Sequence, residues 1–313
     1  MKILITGGFG NLGSRLAEYF YRKNYKVTVL SNSDDRKLPG IKYNFIKADI
    51  TKSEELDASI TECFDCCIHT ASLNDSFITG YAEKALMVNA LGTRNIIKTL
   101  LDKDVKRFVY FSTFHVYGVS EGSIDENTPL SPKNDYATTH LFGEYYANQF
   151  WRTHRFPYTI LRLTNCYGAP RYPNSTKWYL ALNDMARSAI EKEEIVLNSN
   201  GLGCRDFIWI GDVCSIVDGI LTADKTTGET FNVASGRTYK IMDIANIVKI
   251  AYEERYGRKI NIKTNEADHA VYGESLHVSN KKLKSVVNFE IHDKIYDEVN
   301  NIFDIMEQSR YSL

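Results

Sequence analysis

The first thirteen residues, MKILITGGFGNLG, constrain the chain most, because they set an apolar strand, a glycine turn and a helix start in direct succession. Lys2–Ile5 reads as the strand and Thr6–Gly13 as the turn. Gly7, Gly10 and Gly13 are spaced as GxxGxxG, which lets the backbone turn sharply, approach a pyrophosphate and pack the next helix tightly on the strand. The free N–H groups at a helix N-terminus then meet the phosphates. Leu12, Leu16 and Phe20 give the following helix one apolar stripe, and a second strand, Lys26–Leu30, follows at βαβ distance. The plain alternative for this unit is a tight turn that binds nothing.

The alternation continues. Strands read at Lys42–Lys47, Asp65–Thr70, Arg107–Ser112 and Tyr158–Leu163, with helices around Lys52–Ile60, Glu83–Leu101 and Tyr136–His154 between them. This pattern predicts an α/β fold with a doubly wound parallel sheet whose ligands lie beyond the carboxyl ends of the strands. Functional residues are therefore expected at Thr6–Gly13, Ser31, Asp49, His69–Ala71, Ser112–Thr113 and Thr164–Asn165. The polar stretch Ser120–Asp135, with Pro129 and Pro132, reads as a loop. After about residue 166 the pattern loosens into Tyr167–Lys177, a helix near Tyr179–Lys192 and short strands at Ile195–Leu197 and Phe207–Ile210. Further helices read near Val213–Leu221, Ile241–Tyr256 and Ile295–Gln308. The expected division is a dinucleotide-binding part, residues 1–165, to which later segments return, and a smaller interleaved lobe within 166–313, with a ligand cleft between them.

Composition enters through what it excludes. Lys plus Arg is 38 against 39 for Asp plus Glu, so no global charge favours nucleic acid or an acidic membrane, and a small-molecule partner is expected. A strand beginning at residue 2 leaves no room for a signal peptide, and no apolar run approaches a membrane span, so the expected location is the cytoplasm. The six cysteines are then most simply reduced thiols. Cys63, Cys66 and Cys67 have no second CxxC or paired His run to answer them, so they read as buried thiols rather than a metal site.

At this level of detail the sequence resembles the extended short-chain dehydrogenase/reductases of the nucleotide-sugar epimerase/dehydratase group, with a Rossmann sheet, over Met1 to about Leu283. The marks are TGGFGNLG (Thr6–Gly13), ADI (Ala48–Ile50), IHTAS (Ile68–Ser72), VNALGTRNI (Val88–Ile96), FVYFSTFHVYG (Phe108–Gly118) and DENTPLSP (Asp125–Pro132). Tyr136 opening a helix, LRLTNCYG (Leu161–Gly168), RDFIWIGDV (Arg205–Val213) and FNVASG (Phe231–Gly236) complete the series.

The resemblance implies an NAD(P)-dependent enzyme acting on a nucleoside diphosphate sugar. Removing a hydride from a sugar carbinol needs a base for the hydroxyl proton, a donor for the developing alkoxide and a nicotinamide alongside. Tyr136 matches the family's acid/base tyrosine and Thr113 the Ser/Thr that holds the reacting oxygen; Tyr117 reads as a pocket wall. The cofactor is expected against Gly7, Phe9, Gly10, Asn11, Leu12 and Gly13, Ser31 and Asn32, Asp49 and Ile50, Thr70 and Ala71, Asn89, and Tyr136 with His140. The substrate is expected against Ser72, Thr113, Asn165 and Arg205, whose guanidinium suits a diphosphate. No metal is implied.

Several departures from the family pattern bear on mechanism. The lysine expected four residues after the tyrosine is His140, still on the same helical face, but an imidazole with an ordinary pKa of about 6.5 is largely uncharged at neutral pH and activates a tyrosine less. Lys133, in the preceding loop, is a poor substitute. The acidic residue that commonly ends the second strand is Ser31, which permits NADP, while Asp34 and Asp35 crowd the same loop and only Arg36 could clamp a phosphate; the balance favours NAD. A second substrate arginine is not evident in Glu266–Ser275. Dehydratases of the group carry Asp-Glu directly after the threonine, whereas this chain has Phe114-His115, which points to C4 epimerisation or net C4 oxidation or reduction. His115 itself reads as packed or solvated. The family also pairs two helices per subunit, here Glu83–Leu101 and Tyr136–His154 with Leu141, Phe142, Tyr145 and Tyr146, so a homodimer is expected. The same fold without turnover, as a dinucleotide sensor or scaffold, is the reading from a different class.

Overall fold

In the computed structural model, which describes residues 1–34, 36–74, 78–172, 177–265, 267–270 and 275–310, seven strands form the central sheet. They are β1 (Lys2–Thr6), β2 (Lys26–Ser31), β3 (Asn44–Lys47), β4 (Cys66–His69), β5 (Arg107–Thr113), β6 (Tyr158–Leu163) and β7 (Glu229–Val233). Their order is β3-β2-β1-β4-β5-β6-β7, with every pairing parallel. The chain winds outward from β1 in one direction and then in the other, so the crevice at the carboxyl ends of β1 and β4 is the switch point where ligands bind in such sheets.

Side chains alternate between the two faces, and both are covered, which is why these strands read as apolar runs. Ile3, Ile5, Ile68, Val109 and Phe111 pack toward one hydrophobic cluster, joined by the helices Asn11–Arg22 and Ile210–Thr222. Leu4, Cys67, Phe108 and Tyr110 pack toward another, under Ser53–Ser59, Thr93–Leu100 and Asp135–His154. A third cluster fills the smaller lobe, where Ala181–Lys192, Ile241–Tyr256 and Ile295–Arg310 meet.

Several expectations need correction. β7 is a strand that the sequence pattern did not reveal, and it returns to the main sheet beside β6. The stretch 120–135 is not all loop: Gly122–Ile124 is a short strand paired in parallel with Leu276–Val278. The expected helix Glu83–Leu101 is divided. Tyr81–Ala85 and Thr93–Leu100 are α-helical, and Leu86–Gly92 between them is wound as a π-helix, a form that often accompanies functional sites. The short strands of the smaller lobe lie at Glu194–Val196 and Cys204–Trp209, and Asn165–Tyr167 pairs in parallel with Phe207–Trp209. Cys63 is exposed rather than buried, whereas Cys66 and Cys67 are buried. Burial pushes both of these thiols well above their ordinary pKa. Asp35, Glu266 and residues 173–176 and 271–274 lie outside the described residues.

Two buried polar clusters tie helices to the sheet. In the first, His69 on β4 lies between Thr6 on β1 and Thr93, with Nδ1 2.6 Å from Thr6 Oγ1 and Nε2 3.0 Å from Thr93 Oγ1. Thr93 Oγ1 donates to the Asn89 carbonyl, so it accepts from His69 Nε2–H, and the Thr6 hydroxyl donates to Nδ1. The neutral tautomer is thereby fixed, and burial, then neighbouring His140, push its pKa down to about 3. In the second, Arg162 on β6 forks onto Glu144 of the helix Asp135–His154, Nε to Oε1 at 3.0 Å and one terminal nitrogen to Oε2 at 2.7 Å. Its other terminal nitrogen donates to the Tyr117 hydroxyl, and Ser112 donates to Glu144.

Each cluster gives a stability prediction. An unfolded histidine binds a proton below pH ~6.5 while folded His69 does not until about 3, so stability contributed by this group is intact above ~6.5 and is lost as pH falls between those values. Urea unfolding at pH 7, 6 and 5 should show a smaller acid-side loss for His69→Gln than for the unaltered protein; parallel curves would refute this. Arg162→Met leaves the Glu144 carboxylate buried without its partner and should lower unfolding free energy by about 3–5 kcal/mol, whereas Arg162→Met with Glu144→Met should lower it much less.

Candidate active site

The turn after β1 is held by close backbone contacts. Gly7 has φ +67°, and a Cβ there would lie 2.7 Å from the Ala71 Cα, so a side chain would break the approach of β1's turn to β4's. Gly7 also accepts the Gly10 N–H at 2.8 Å. The helix Asn11–Arg22 then begins with no side-chain cap and no acidic residue in its first turn, leaving its N–H groups directed out of the turn. Asn11 Oδ1 there is buried without a hydrogen-bond partner.

Two cavities open on this turn and share Gly10, Asn11, Thr70 and Ser72 in their walls. The first, about 430 Å³, runs over β1 and β2 and meets Gly7 and Phe9, Ser31 and Asn32, Asp49 and Ile50, and Ala71. Ser31 sits where the acidic residue was missing, its Oγ 2.9 Å from Ser33 Oγ. Arg36 lines the same wall, while Asp34 is paired with Lys47 at 2.5 Å. Asp49 accepts from the backbone and hydroxyl of Thr51.

The second cavity, about 380 Å³, lies over β5 and β6 and is walled by Leu12, Gly13, Thr113, Tyr136, His140 and Asn165. Thr113 closes β5, its Oγ1 accepting from the His115 backbone at 3.2 Å. Tyr136 and His140 sit one turn apart at the start of Asp135–His154, a helix capped by Asn134, whose side chain accepts from the Ala137 N–H. The two rings lie 4.6 Å apart, centroid to centroid. Burial raises the Tyr136 pKa, and the Thr113 hydroxyl opposes this. Burial takes His140 down to about 4, with the Phe111 backbone opposing and His115 adding to the shift. His140 is therefore neutral at pH 7. Its Nδ1 is 3.2 Å from the Tyr110 hydroxyl, and its buried Nε2 has no hydrogen-bond partner.

Two expected residues stand apart from both cavities. Asn89, on the π-helical turn, is buried, and its amide is committed to the Leu73 N–H, the Leu73 carbonyl and Thr139 Oγ1; it braces the loop after β4. Arg205 donates to the Cys204 carbonyl at 2.7 Å, and its charge is close enough to His115 to help depress that histidine's pKa. Asn165 does reach the second cavity, with its amide N–H donated to the Asp206 carbonyl at 3.0 Å. Lys177 and Asn74 line both cavities, and Arg171 lines the first. Lys177 donates to Asn74 and to the Tyr179 hydroxyl. Arg171 and Lys177 come from stretches without periodicity, where their only sequence signal was an isolated positive charge, and Asn74 carried no signal.

Among the described residues no group of His, Cys, Asp and Glu could hold a metal ion, and no helix is long and apolar enough to cross a membrane. A family model described as "NAD dependent epimerase/dehydratase family" matches residues 3–234. The chain is 28% identical to a putative UDP-glucose 4-epimerase of Methanocaldococcus jannaschii, covering 79% of this chain and 81% of that one. It is 27% identical to human dTDP-D-glucose 4,6-dehydratase, covering 78% and 72% respectively. The crystal structure of UDP-glucuronic acid 4-epimerase from Bacillus cereus, with UDP-glucuronic acid and NAD, superposes with a TM-score of 0.80 at 21% identity over 98% of this chain and 99% of that one, which speaks for the fold. The match from residue 3 to residue 234 spans well over half the chain and includes the glycine turn, Thr113 and Tyr136: the chain belongs to the NAD-dependent epimerase/dehydratase family.

Proposed function

We propose that the protein transfers hydride at C4 of a nucleoside diphosphate sugar, as a 4-epimerase or as a net 4-dehydrogenase or 4-ketoreductase. NAD is the favoured cofactor, and NADP is the second candidate because the cavity over β2 is lined by Ser31 in place of an acidic residue and by Arg36. The observation that carries this reading is that Thr113, Tyr136 and His140 wall one cavity that opens onto the glycine turn.

The residues present suit a dinucleotide. The uncapped helix start offers N–H groups to phosphates, and Asn11 Oδ1 and His140 Nε2 are buried groups in want of partners. A nicotinamide bound there supplies the hydride acceptor and donor. The Tyr136 hydroxyl exchanges the proton of the sugar oxygen, Thr113 holds that oxygen, and His140 Nε2 offers a hydrogen bond to a ribose hydroxyl. Phe114 and His115 stand where the dehydratases carry Asp-Glu, so elimination across C5–C6 lacks its acid here. The neutral His140 and the position of Arg205 away from the cavities favour the sensor reading as the second candidate.

Three measurements test this. Purified protein should carry nicotinamide dinucleotide and be stabilised against heat by at least one sugar in a panel of UDP-, dTDP-, GDP- and CDP-sugars; stabilisation by dinucleotide alone across the panel would favour the sensor. Product mass and nicotinamide absorbance then separate an epimerase from a net oxidoreductase.

Tyr136→Phe keeps the ring but removes the titrating oxygen, so activity should fall by roughly 10²-fold or more with cofactor still bound. Since His140 is uncharged above about pH 4, the rate should climb with alkalinity between pH 6 and 9. His140→Lys should move that rise to lower pH by stabilising the tyrosinate. An unchanged pH profile in His140→Lys and in His140→Ala would leave His140 no part in activating Tyr136.

Assembly is the third. Phe142 and Tyr145 on one helix, and Leu86 and Met87 on the π-helical turn, are each more than 40% exposed, and the two segments pack side by side. A homodimer through this face should appear in light scattering at micromolar concentration and dissociate in Phe142→Asp with Tyr145→Asp. A monomeric mass for the unaltered protein would contradict it.

A further inference from the structure

The two cavities meet at a short stretch of shared wall, formed by Gly10 and Asn11 on the glycine turn, by Thr70, Ser72 and Asn74 after β4, and by Lys177. The Lys177 carbonyl accepts from the Leu180 N–H at 3.2 Å and from the Asn183 side chain at 3.0 Å, which ties it to the start of the helix Ala181–Lys192. Its Nζ donates to Asn74 and, at 3.1 Å, to the Tyr179 hydroxyl, which donates in turn to the Asn74 carbonyl at 3.2 Å. The ammonium also lies 5.3 Å from the centre of the Tyr179 ring. These contacts carry the side chain from the helix start to the loop after β4 and hold its charge at the junction of the cavities.

That charge has few equivalents nearby. Among the described residues that wall the second cavity, Lys177 is the only Lys, Arg, Asp or Glu. The histidines there, His115 and His140, are both held by burial below the ordinary imidazole pKa. Arg205, the guanidinium expected on a diphosphate, lines neither wall. In the first cavity the terminal nitrogens of Arg171 are committed to Glu18 and to the Pro39 carbonyl.

We propose that Lys177 is the cation that grips a diphosphate where the two cavities meet, either the pyrophosphate of the dinucleotide or the diphosphate of the sugar nucleotide. The inference rests on the hydride-transfer reading, which brings both diphosphates to this site. A diphosphate is an anion, and a charge enclosed without a counter-charge is costly. An ammonium has three donors and no fixed plane, so Nζ can keep the Tyr179 hydroxyl while turning from Asn74 to a phosphate oxygen. The exchange is favourable because the phosphate adds a charge of its own to the hydrogen bond. Lys177 thereby supplies the charge that the wall lacks with Arg205 outside it.

The test is a set of calorimetric titrations of the unaltered chain, Lys177→Gln, Lys177→Met and Lys177→Arg, each freed of nucleotide on charcoal. One arm uses NAD, ADP-ribose and AMP. The other uses UDP, dTDP, GDP and CDP with their monophosphates, at saturating NAD. Glutamine keeps a donor for Asn74 without the charge, methionine serves as the second variant should the amide disturb folding, and heat melting of the nucleotide-free proteins checks the fold. Lys177→Gln should weaken the diphosphates of at least one arm by about tenfold or more and leave that arm's monophosphates nearly unchanged, and Lys177→Arg should recover most of the loss. Raising KCl from about 50 to about 500 mM should weaken those diphosphates more in the unaltered protein than in Lys177→Gln, since salt screens a charge that only the former carries. A loss with NAD and ADP-ribose places Lys177 on the cofactor's pyrophosphate, and a loss with nucleoside diphosphates places it on the substrate's. Unchanged affinities on both arms in a folded variant overturn the proposal. So does an equal loss for monophosphates and diphosphates, which a purely bracing role through Asn74 and Tyr179 would give; hydride transfer then stands without Lys177. An unaltered protein that binds neither NAD nor any nucleoside diphosphate loses the hydride reading, and the role of Lys177 with it.

Discussion

The arrangement of the second cavity depends on a charge pair that water does not reach. Glu144 sits two turns beyond Tyr136 on the same helix, and Arg162 on β6 holds it with two parallel hydrogen bonds while its other terminal nitrogen donates to Tyr117. Moving two ions out of water costs several kcal/mol each, and the attraction between them returns most of that only in good geometry. The pair therefore adds little net stability over apolar residues of similar volume. What it adds is position, because any slide of the helix along the sheet would break the fork and leave both charges buried alone. Ser112 joins the same carboxylate, and the next residue is Thr113, so the hydroxyl at the end of β5 and the tyrosine at the start of the helix are set from one anchor.

The dryness of the site also bears on what a histidine can do at the position where the family resemblance implies a lysine. A charged group needs either water or a counter-ion, and the surroundings of His140 provide neither: the Tyr110 hydroxyl is its neighbour on one side and Nε2 is unsatisfied on the other. An imidazole tolerates such a place by staying neutral. The lowered pKa of His140 follows from the same dryness that raises that of Tyr136, and both shifts express one property of the site, its poor solvation.

The sequence made the sheet legible wherever both faces of a strand are buried. β1, β2, β5 and β6 are runs of Val, Ile, Leu and aromatic residues, and the rule that ligands gather beyond strand ends pointed to Ser31, Thr70, Thr113 and Asn165, which line the cavities. β7 escaped because Glu229 and Thr230 dilute its apolar run and because it follows the smaller lobe rather than a crossover helix of the earlier pattern. Gly122–Ile124 escaped because three residues carry no measurable period. Arg205 and Asn89 show a different gap. A motif fixes where a residue stands along a strand or helix, but the direction of a long side chain is decided by the acceptors around it. For Arg205 that acceptor is its own neighbour's carbonyl, and for Asn89 it is the loop after β4.

The pairing of Gly122–Ile124 with Leu276–Val278 bears on how such a chain could be rearranged. Together with β7, which crosses back from the later half to close the edge of the sheet, and Asp206, whose buried carboxylate gathers Thr164, Ser235 and Gly236, it stitches the two halves of the sequence at three places. The smaller lobe has its own hydrophobic cluster, but it is not a separable segment of chain. A cut near residue 165 would strip the sheet of an edge strand and open the two other seams at once. The smaller lobe is thus not a cassette that recombination could exchange whole, and new specificity in this architecture has to be reached by substitution within loops such as those carrying Lys177 and Arg171.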